Sequence, residues 1–217
     1  MSSFQLKLIA ITSMLIDHTG AVVFPDLIVF RIVGRLAFPL FAFLIAEGYH
    51  YTSNLKLYFL RLSIFALISQ YPFWLAFGFD AGLNIFFTLA VGLMAIHLHE
   101  KYENFILIIG VAFIADLIST DYGMLGVILI YLMHICRDDF RKMLTYIGVL
   151  YIFVFPLSGL LASEDSIQYF IQIFALLSFV FIGYYDGREG IKLKYLFYLF
   201  YPVHLLILGL LFAGFNL

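Results

Sequence analysis

Nine long apolar runs follow one another along this chain, and their length restricts its fold more than any other feature. They cover roughly 4–24, 28–49, 57–78, 83–99, 104–118, 122–136, 142–161, 167–185 and 195–214. Each approaches the ~20 residues a helix needs to cross a bilayer. Only 12% of residues are charged, where a soluble domain carries about a quarter, and the mean hydropathy is +1.05. The runs lack the apolar/polar alternation of barrel strands. The chain therefore reads as all-α: a polytopic transmembrane helical bundle of about nine spanning helices, forming a single domain over 1–217.

Polar punctuation separates the runs: Pro25-Asp26, Thr52-Ser53-Asn54, Asp80-Ala81-Gly82, Glu100-Lys101, Ser119-Thr120-Asp121, Arg137-Asp138-Asp139, Ser163-Glu164-Asp165 and Asp186-Gly187-Arg188. With the N-terminus cytoplasmic, alternate loops collect Lys7, Lys56, Arg61, Lys101, Arg137, Arg141, Lys142, Arg188, Lys192 and Lys194, ten of the twelve basic residues. The opposite loops carry Asp26, Asp80, Asp121, Glu164 and Asp165 and no base. This is the positive-inside asymmetry, and it puts the C-terminus outside. The first run has no small-residue cleavage site and reads as a retained helix. The single cysteine, Cys136, allows no intrachain disulfide. No basic patch points to nucleic acid, and no His/Cys/Asp/Glu grouping has metal-ligand spacing.

Against that background the intramembrane polar residues stand out. Arg31 and Arg35 fall inside the second run, where a charge costs about 2.5–3.5 kcal/mol at mid-membrane on insertion scales. Their i, i+4 spacing puts both on one helix face. Asp17 and His18 lie at a similar depth in the first run, roughly 9 Å below its outer end. Asp17 points about 100° away from His18, and an Asp17–Arg35 ion pair is the natural partnership. A histidine titrating near 6.5 is the usual proton carrier at neutral pH. Eleven residues separate Lys7 from His18. Eleven steps of about 100° come within roughly 20° of three turns, so the two share a face about 16 Å apart. A cation at the inner mouth and a deep imidazole on one strip suit a long anionic molecule with its reactive end near His18. By itself Lys7 also reads as a snorkelling anchor.

Other residues are candidates of a lesser kind. Asn84 and Thr88 lie one turn apart. Asp116 sits within an apolar run, whereas Asp121 reads as a turn or cap residue. His204 follows Pro202, which frees a helical carbonyl. His50, His97, His99 and His134 fall at inner helix ends.

The spacing Lys7-x10-His18 is similar to the basic-x10-His signature of acyltransferase 3 type membrane enzymes. The ordered set LKLIAITSMLIDHTGAVVFP, RIVGRLAFPLFAFLIAEGY, LNIFFTLAVGLMAI, ADLISTDYGMLGV and FYLFYPVHLLIL resembles the TraX family. That family is associated with acetylation of the pilin amino terminus. The resemblance implies a multi-pass protein of the bacterial cytoplasmic membrane. It would transfer an acyl group, with acetyl-CoA the expected donor, from cytoplasmic acyl-CoA to a hydroxyl or amine at the outer face. The acceptor would be a glycan, a lipid or a protein amine, and the chain could act as a homo-oligomer. The catalytic set would be His18 as general base or transient acyl carrier, with Asp17 and Arg35. Arg31 would help stabilise an oxyanion or orient the acceptor. Lys7 would hold the CoA end, and Glu47 would pair with Lys7 or Arg61. Lys56 and Arg61 would cover the nucleotide, although the closely spaced Arg-x-x-Arg of some acyltransferase 3 proteins is missing. Asn84, Asp116 and His204 complete the expected substrate-binding set. No metal is implied. The competing reading is a proton-coupled transporter using the same Asp/His/Arg set; the lack of inverted repeats counts against it.

Overall fold

A computed structural model describes residues 1–161 and 166–213. Among these the fold is helical, with no strand beyond an isolated parallel bridge between Leu83 and Thr120. The helices are α1 (Ser3–Val23), α2 (Ile28–Gly34), α3 (Ala37–Tyr51), α4 (Leu55–Phe77), α5 (Ile85–Tyr102), α6 (Phe105–Leu117) and α7 (Gly123–Ile135). Then come α8 (Phe140–Val149), a π-helical turn (Leu150–Val154), α9 (Phe155–Leu161), α10 (Ser166–Phe170), a 3-10 segment (Ile171–Leu177), α11 (Ser178–Gly183) and α12 (Lys194–Ala213). Each apolar run has become a helix or a contiguous helical stretch. Four stretches are long and apolar enough to cross a membrane: Ser3–Val23, Ile28–Tyr51, Leu55–Phe77 and Phe140–Leu157. The expected break at Ser163–Asp165, with the outer-loop acids Glu164 and Asp165, lies outside the described residues.

Two of the polar breaks supply helix caps, and two further asparagines do the same. Asn54 accepts from Leu57 N, Asn84 from Phe86 N and Asn104 from Ile106 N, and Asp139 accepts from both Arg141 N and Lys142 N. Each satisfies an orphan amide at a helix start. The break expected at Glu100-Lys101 falls later. Helix α5 runs on to Tyr102 and turns at Glu103, whose φ is 49°. The contacts made by His99 and Glu100 hold that last turn.

The helices form two compact units, Met1–Phe41 with Cys136–Leu193, and Ala42–Ile135 with Lys194 onward. In the first unit, α1 and α2 form an antiparallel hairpin, and α2 packs on the 3-10 segment, which meets the π turn. The expected regular spans 142–161 and 167–185 are under- and over-wound, respectively, in their middles. The polar segment after α11 docks on the start of α1. Ser3 N donates to Arg188 O at 2.8 Å and Phe4 N to Glu189 O at 3.1 Å. Ser2 caps the same end, its hydroxyl accepting from Gln5 N while Ser2 N donates to Gln5 Oε1.

In the second unit, α5, α6 and α7 pack around small residues, Ala95, Ala112 and Ala115, all fully buried. Small side chains let apolar helices approach closely. Away from that core α6 exposes Phe105, Ile106, Phe113 and Leu117, a surface that water would not wet favourably. The loops before α5 and before α7 meet, Leu83 N donating to Ser119 O and Asp121 N to Leu83 O, both at 2.9 Å. At the other end of the same helices, His134 Nε2 meets Glu100 Oε1 at 2.7 Å and Tyr131 Oη meets His99 Nδ1 at 3.3 Å.

Candidate functional site

The α1–α2 hairpin is built by close approach. A Cβ at Gly20 would overlap Phe30, and one at Gly34 would overlap the carboxylate of Asp17. Gly34 is therefore the opening into which Asp17 seats. Ser13 Oγ donates to Val33 O at 2.5 Å in the same seam. The expected span 28–49 is one helical stretch, Ile28–Tyr51, with a tightened turn here. Helix α2 ends at Gly34, Arg35 N bonds back to Arg31 O and Ile32 O at 3.2 Å, and α3 begins at Ala37. In the tightened turn the Val33 carbonyl accepts from both Leu36 N, at 3.3 Å, and the Ser13 hydroxyl.

Around Asp17 the charges close on one another. Arg35 Nη2 lies 2.8 Å from Asp17 Oδ1, and Arg31 Nη1 lies 2.9 Å from Asp17 Oδ2. Arg31 Nη1 also donates to the Asp17 carbonyl at 3.3 Å, and Arg35 Nε donates to Arg31 O at 3.0 Å. The side chains are 13%, 23% and 6% exposed for Asp17, Arg31 and Arg35. Both carboxylate oxygens are thus engaged by guanidinium donors. Asp17 is a counter-ion that fixes two arginines and not a free base.

His18, next in sequence, is turned about 100° from Asp17 and is half-buried. Helix α1 is unbroken from Ser3 to Val23, so the three-turn relation of Lys7 to His18 holds along it. Between them on the strip lie Ile11 and Met14, only 8% and 7% exposed. Lys7 is half-buried. The exposed side of α1 is the adjacent stripe of Gln5, Leu8, Thr12 and Leu15. The Lys7–His18 strip therefore runs between the outward face of α1 and the face that packs on α2.

The remaining candidates belong to the second unit. Glu47 is buried on α3, Lys56 is exposed at the start of α4, and Arg61 is half-buried two turns along it. Asn84, expected to line a cavity, is fully buried in a clamp. Its Nδ2 donates to Ala66 O at 2.7 Å and to Gln70 Oε1 at 2.8 Å, and its own N donates to Gln70 Oε1 at 3.1 Å. Gln70 Nε2 and Trp74 Nε1 both donate to Gly82 O. Thr88 Oγ1 accepts from Tyr122 N at 3.5 Å. Asp116 takes the capping part that the sequence suggested for Asp121: its Oδ1 accepts from Met124 N at 2.6 Å, under Gly123, where a Cβ would overlap it. His204 is 5% exposed; its Nδ1 donates to Phe200 O at 2.7 Å, and its ring stacks on Phe200 at 4.8 Å. The carbonyl can only accept, so Nδ1 carries the proton of that bond. Sequence reasoning missed Gln70 and Gly34. Gly34 carried a signal, a residue without a side chain immediately before a buried arginine.

These features define a helical membrane protein whose first two helices bury an aspartate between two arginines beside a histidine. The chain belongs to the TraX family, whose model, described as "TraX protein", matches residues 2–212. A Dichelobacter nodosus protein named "Probable fimbrial assembly protein FimC, serogroup H1" is 31% identical over 95% of this chain and 94% of its own length. A Rickettsia prowazekii protein named "Uncharacterized protein RP591" is 33% identical over 40% of this chain and 33% of that protein. No solved structure matches the chain.

Proposed function

We propose that the chain is an integral membrane acyltransferase. It crosses the bacterial cytoplasmic membrane nine times, with its N-terminus cytoplasmic and its C-terminus outside, and uses acyl-CoA, most simply acetyl-CoA, as donor. The nine-crossing topology is supported within each unit: the loops before α5 and α7, which meet, are both external in it, and the start of α1 and the 184–193 segment are both internal. The acceptor is a hydroxyl or amine at the outer face. The relative named for fimbrial assembly favours an amine on a surface subunit.

The observation that carries the reading is the buried strip of α1 with Lys7 at one end and His18 at the other. Lys7 holds the donor's phosphate end while the thioester reaches His18. The imidazole accepts the proton of the acceptor O–H or N–H as that atom attacks the thioester carbon. The carbon–sulfur bond then breaks, and the imidazolium returns the proton to the thiolate, releasing CoA-SH and the acylated acceptor. Arg31 and Arg35, pinned by Asp17, present fixed positive charge at the depth of His18, where an oxyanion develops.

The test is transfer from labelled acetyl-CoA by purified protein. His18→Ala should lower kcat by about a hundred- to ten-thousand-fold, and Lys7→Gln should raise KM with kcat nearly unchanged. Full activity in His18→Ala overturns the assignment. The transporter reading needs a carboxylate that exchanges protons, and Asp17 is held by two guanidinium donors. Flux in liposomes without acyl-CoA would restore it.

A further inference from the structure

The geometry points to a phospholipid-phosphate site at the seam of α4 and α12, with Arg61 as its cation. Arg61 lies about 9 Å along α4 from Leu55, within an apolar helix. Among the described residues no carboxylate lies within ion-pairing distance of it, and its Nε is shut off from solvent without a hydrogen-bond partner. The guanidinium sits over the Tyr58 ring, 5.7 Å from its centroid, with the Tyr198 hydroxyl of α12 in hydrogen-bonding reach. Tyr58 is itself seated against Gly48, where a Cβ would press on its hydroxyl. One tyrosine ring and one tyrosine hydroxyl thus hold a cation that no carboxylate among the described residues pairs. A cation at this depth is costly unless something neutralises it.

Position on the helix identifies the missing anion. One flank of Arg61 adjoins the buried face of α4, with Leu62 at 1% and Ala66 at 0% exposure. The other adjoins Leu57, Leu60, Ile64 and Ile68, all 43–52% exposed. On α12, Tyr195 and Leu199 beside Tyr198 are also exposed. The cation therefore opens on an apolar outer flank. Helical side chains lean toward their own N-terminus, which carries the guanidinium toward Lys56 and Asn54, the headgroup end. A phosphate bound by the planar fork, with acyl chains lying over the exposed leucines and isoleucines, satisfies both the charge and the surface. A nucleotide phosphate has the same anion chemistry but no tails for that flank. Exposed Lys56, about 7.5 Å nearer the start of α4, adds a second positive charge on the headgroup side, so an anionic headgroup is preferred. This site does not rest on the acyl-transfer reading, and its test involves no turnover.

The test is native mass spectrometry of the full chain in detergent with added phosphatidylglycerol, phosphatidylcholine or coenzyme A. Phosphatidylglycerol should be retained over phosphatidylcholine, and Arg61→Gln should lower its retention about fivefold. Lys56→Gln should have a smaller effect. Arg61→Lys keeps the charge and loses the fork; it should lower retention about twofold, and it carries the test should Arg61→Gln not survive extraction. Native-like phosphatidylglycerol retention in the glutamine variant, or in the lysine variant where that one carries the test, overturns the proposal. So does a loss confined to coenzyme A binding, which would make Arg61 a donor residue.

Discussion

The two polar clusters inside this apolar protein solve one problem in opposite ways. Between α1 and α2 the polar groups are charged: Asp17 with Arg31 and Arg35. Between α4 and the start of α5 they are neutral amides, Asn84 and Gln70, with carbonyls for partners. The amide clamp matches donors to acceptors and ties a loop to a helix, so it is structural. The charged cluster carries two positive charges around one negative, more charge than joining two helices requires, and it sits beside an imidazole. Excess charge at a precise depth suits a site, whereas matched amides suit a joint.

The sharpest way to break this contrast is to remove the central anion. Asp17→Ala should destabilise the protein by about 3–5 kcal/mol, because two guanidinia remain without their counter-ion. Unfolding in mixed micelles reads this directly, and a near-neutral result would show that the cluster is not held by Asp17. Gly34→Ala tests the seat alone. The added methyl displaces the carboxylate and should cost about 1–3 kcal/mol, with transfer activity falling further than stability predicts. For the amide joint, Asn84→Ala should cost about 2 kcal/mol, from a lost cap and partners left unsatisfied, and should leave the KM for acyl-CoA unchanged. A changed KM would move Asn84 from the joint to the site.

The smallest effect concerns the segment that docks on α1. The Arg188 side chain, hydrogen-bonded to Asp186, holds that carboxyl below the usual carboxylate range. A depressed folded value contributes stability that is complete above the ordinary pKa of about 3.9 and is lost as pH falls below it. Proteolysis of the 184–193 segment should therefore be constant from about pH 8 to 5 and rise only near pH 4 and below. Increased cleavage at pH 6 would contradict the Asp186–Arg188 pairing.

Much of this was legible in the chain. Apolar run length gave each helical stretch, and matched depth with i, i+4 spacing brought Arg31 and Arg35 to Asp17. Legibility failed where apolar residues continue through a change of backbone. Leu36, Ala37 and Phe38 look like uninterrupted helix, yet the turn tightens at Arg35, where the Val33 carbonyl accepts from both Leu36 N and the Ser13 hydroxyl. The π turn at Leu150–Val154 and the 3-10 stretch at Ile171–Leu177 are equally silent, since hydrophobicity does not encode residues per turn. Asp116 looked more interesting than Asp121 because it is embedded in an apolar run. It lies there to reach the Met124 amide across a glycine.

The bonds from Ser3 and Phe4 to Arg188 and Glu189 also set an order of events during synthesis. Helix α1 finds the partners for its opening amides only after some 180 further residues have been made. That end, with Lys7 one turn away, can therefore lock into register only when nearly the whole of this sequence has been made. A nascent chain stalled before Arg188 would carry an unlatched α1, and the Lys7–His18 strip would take its final form late in assembly.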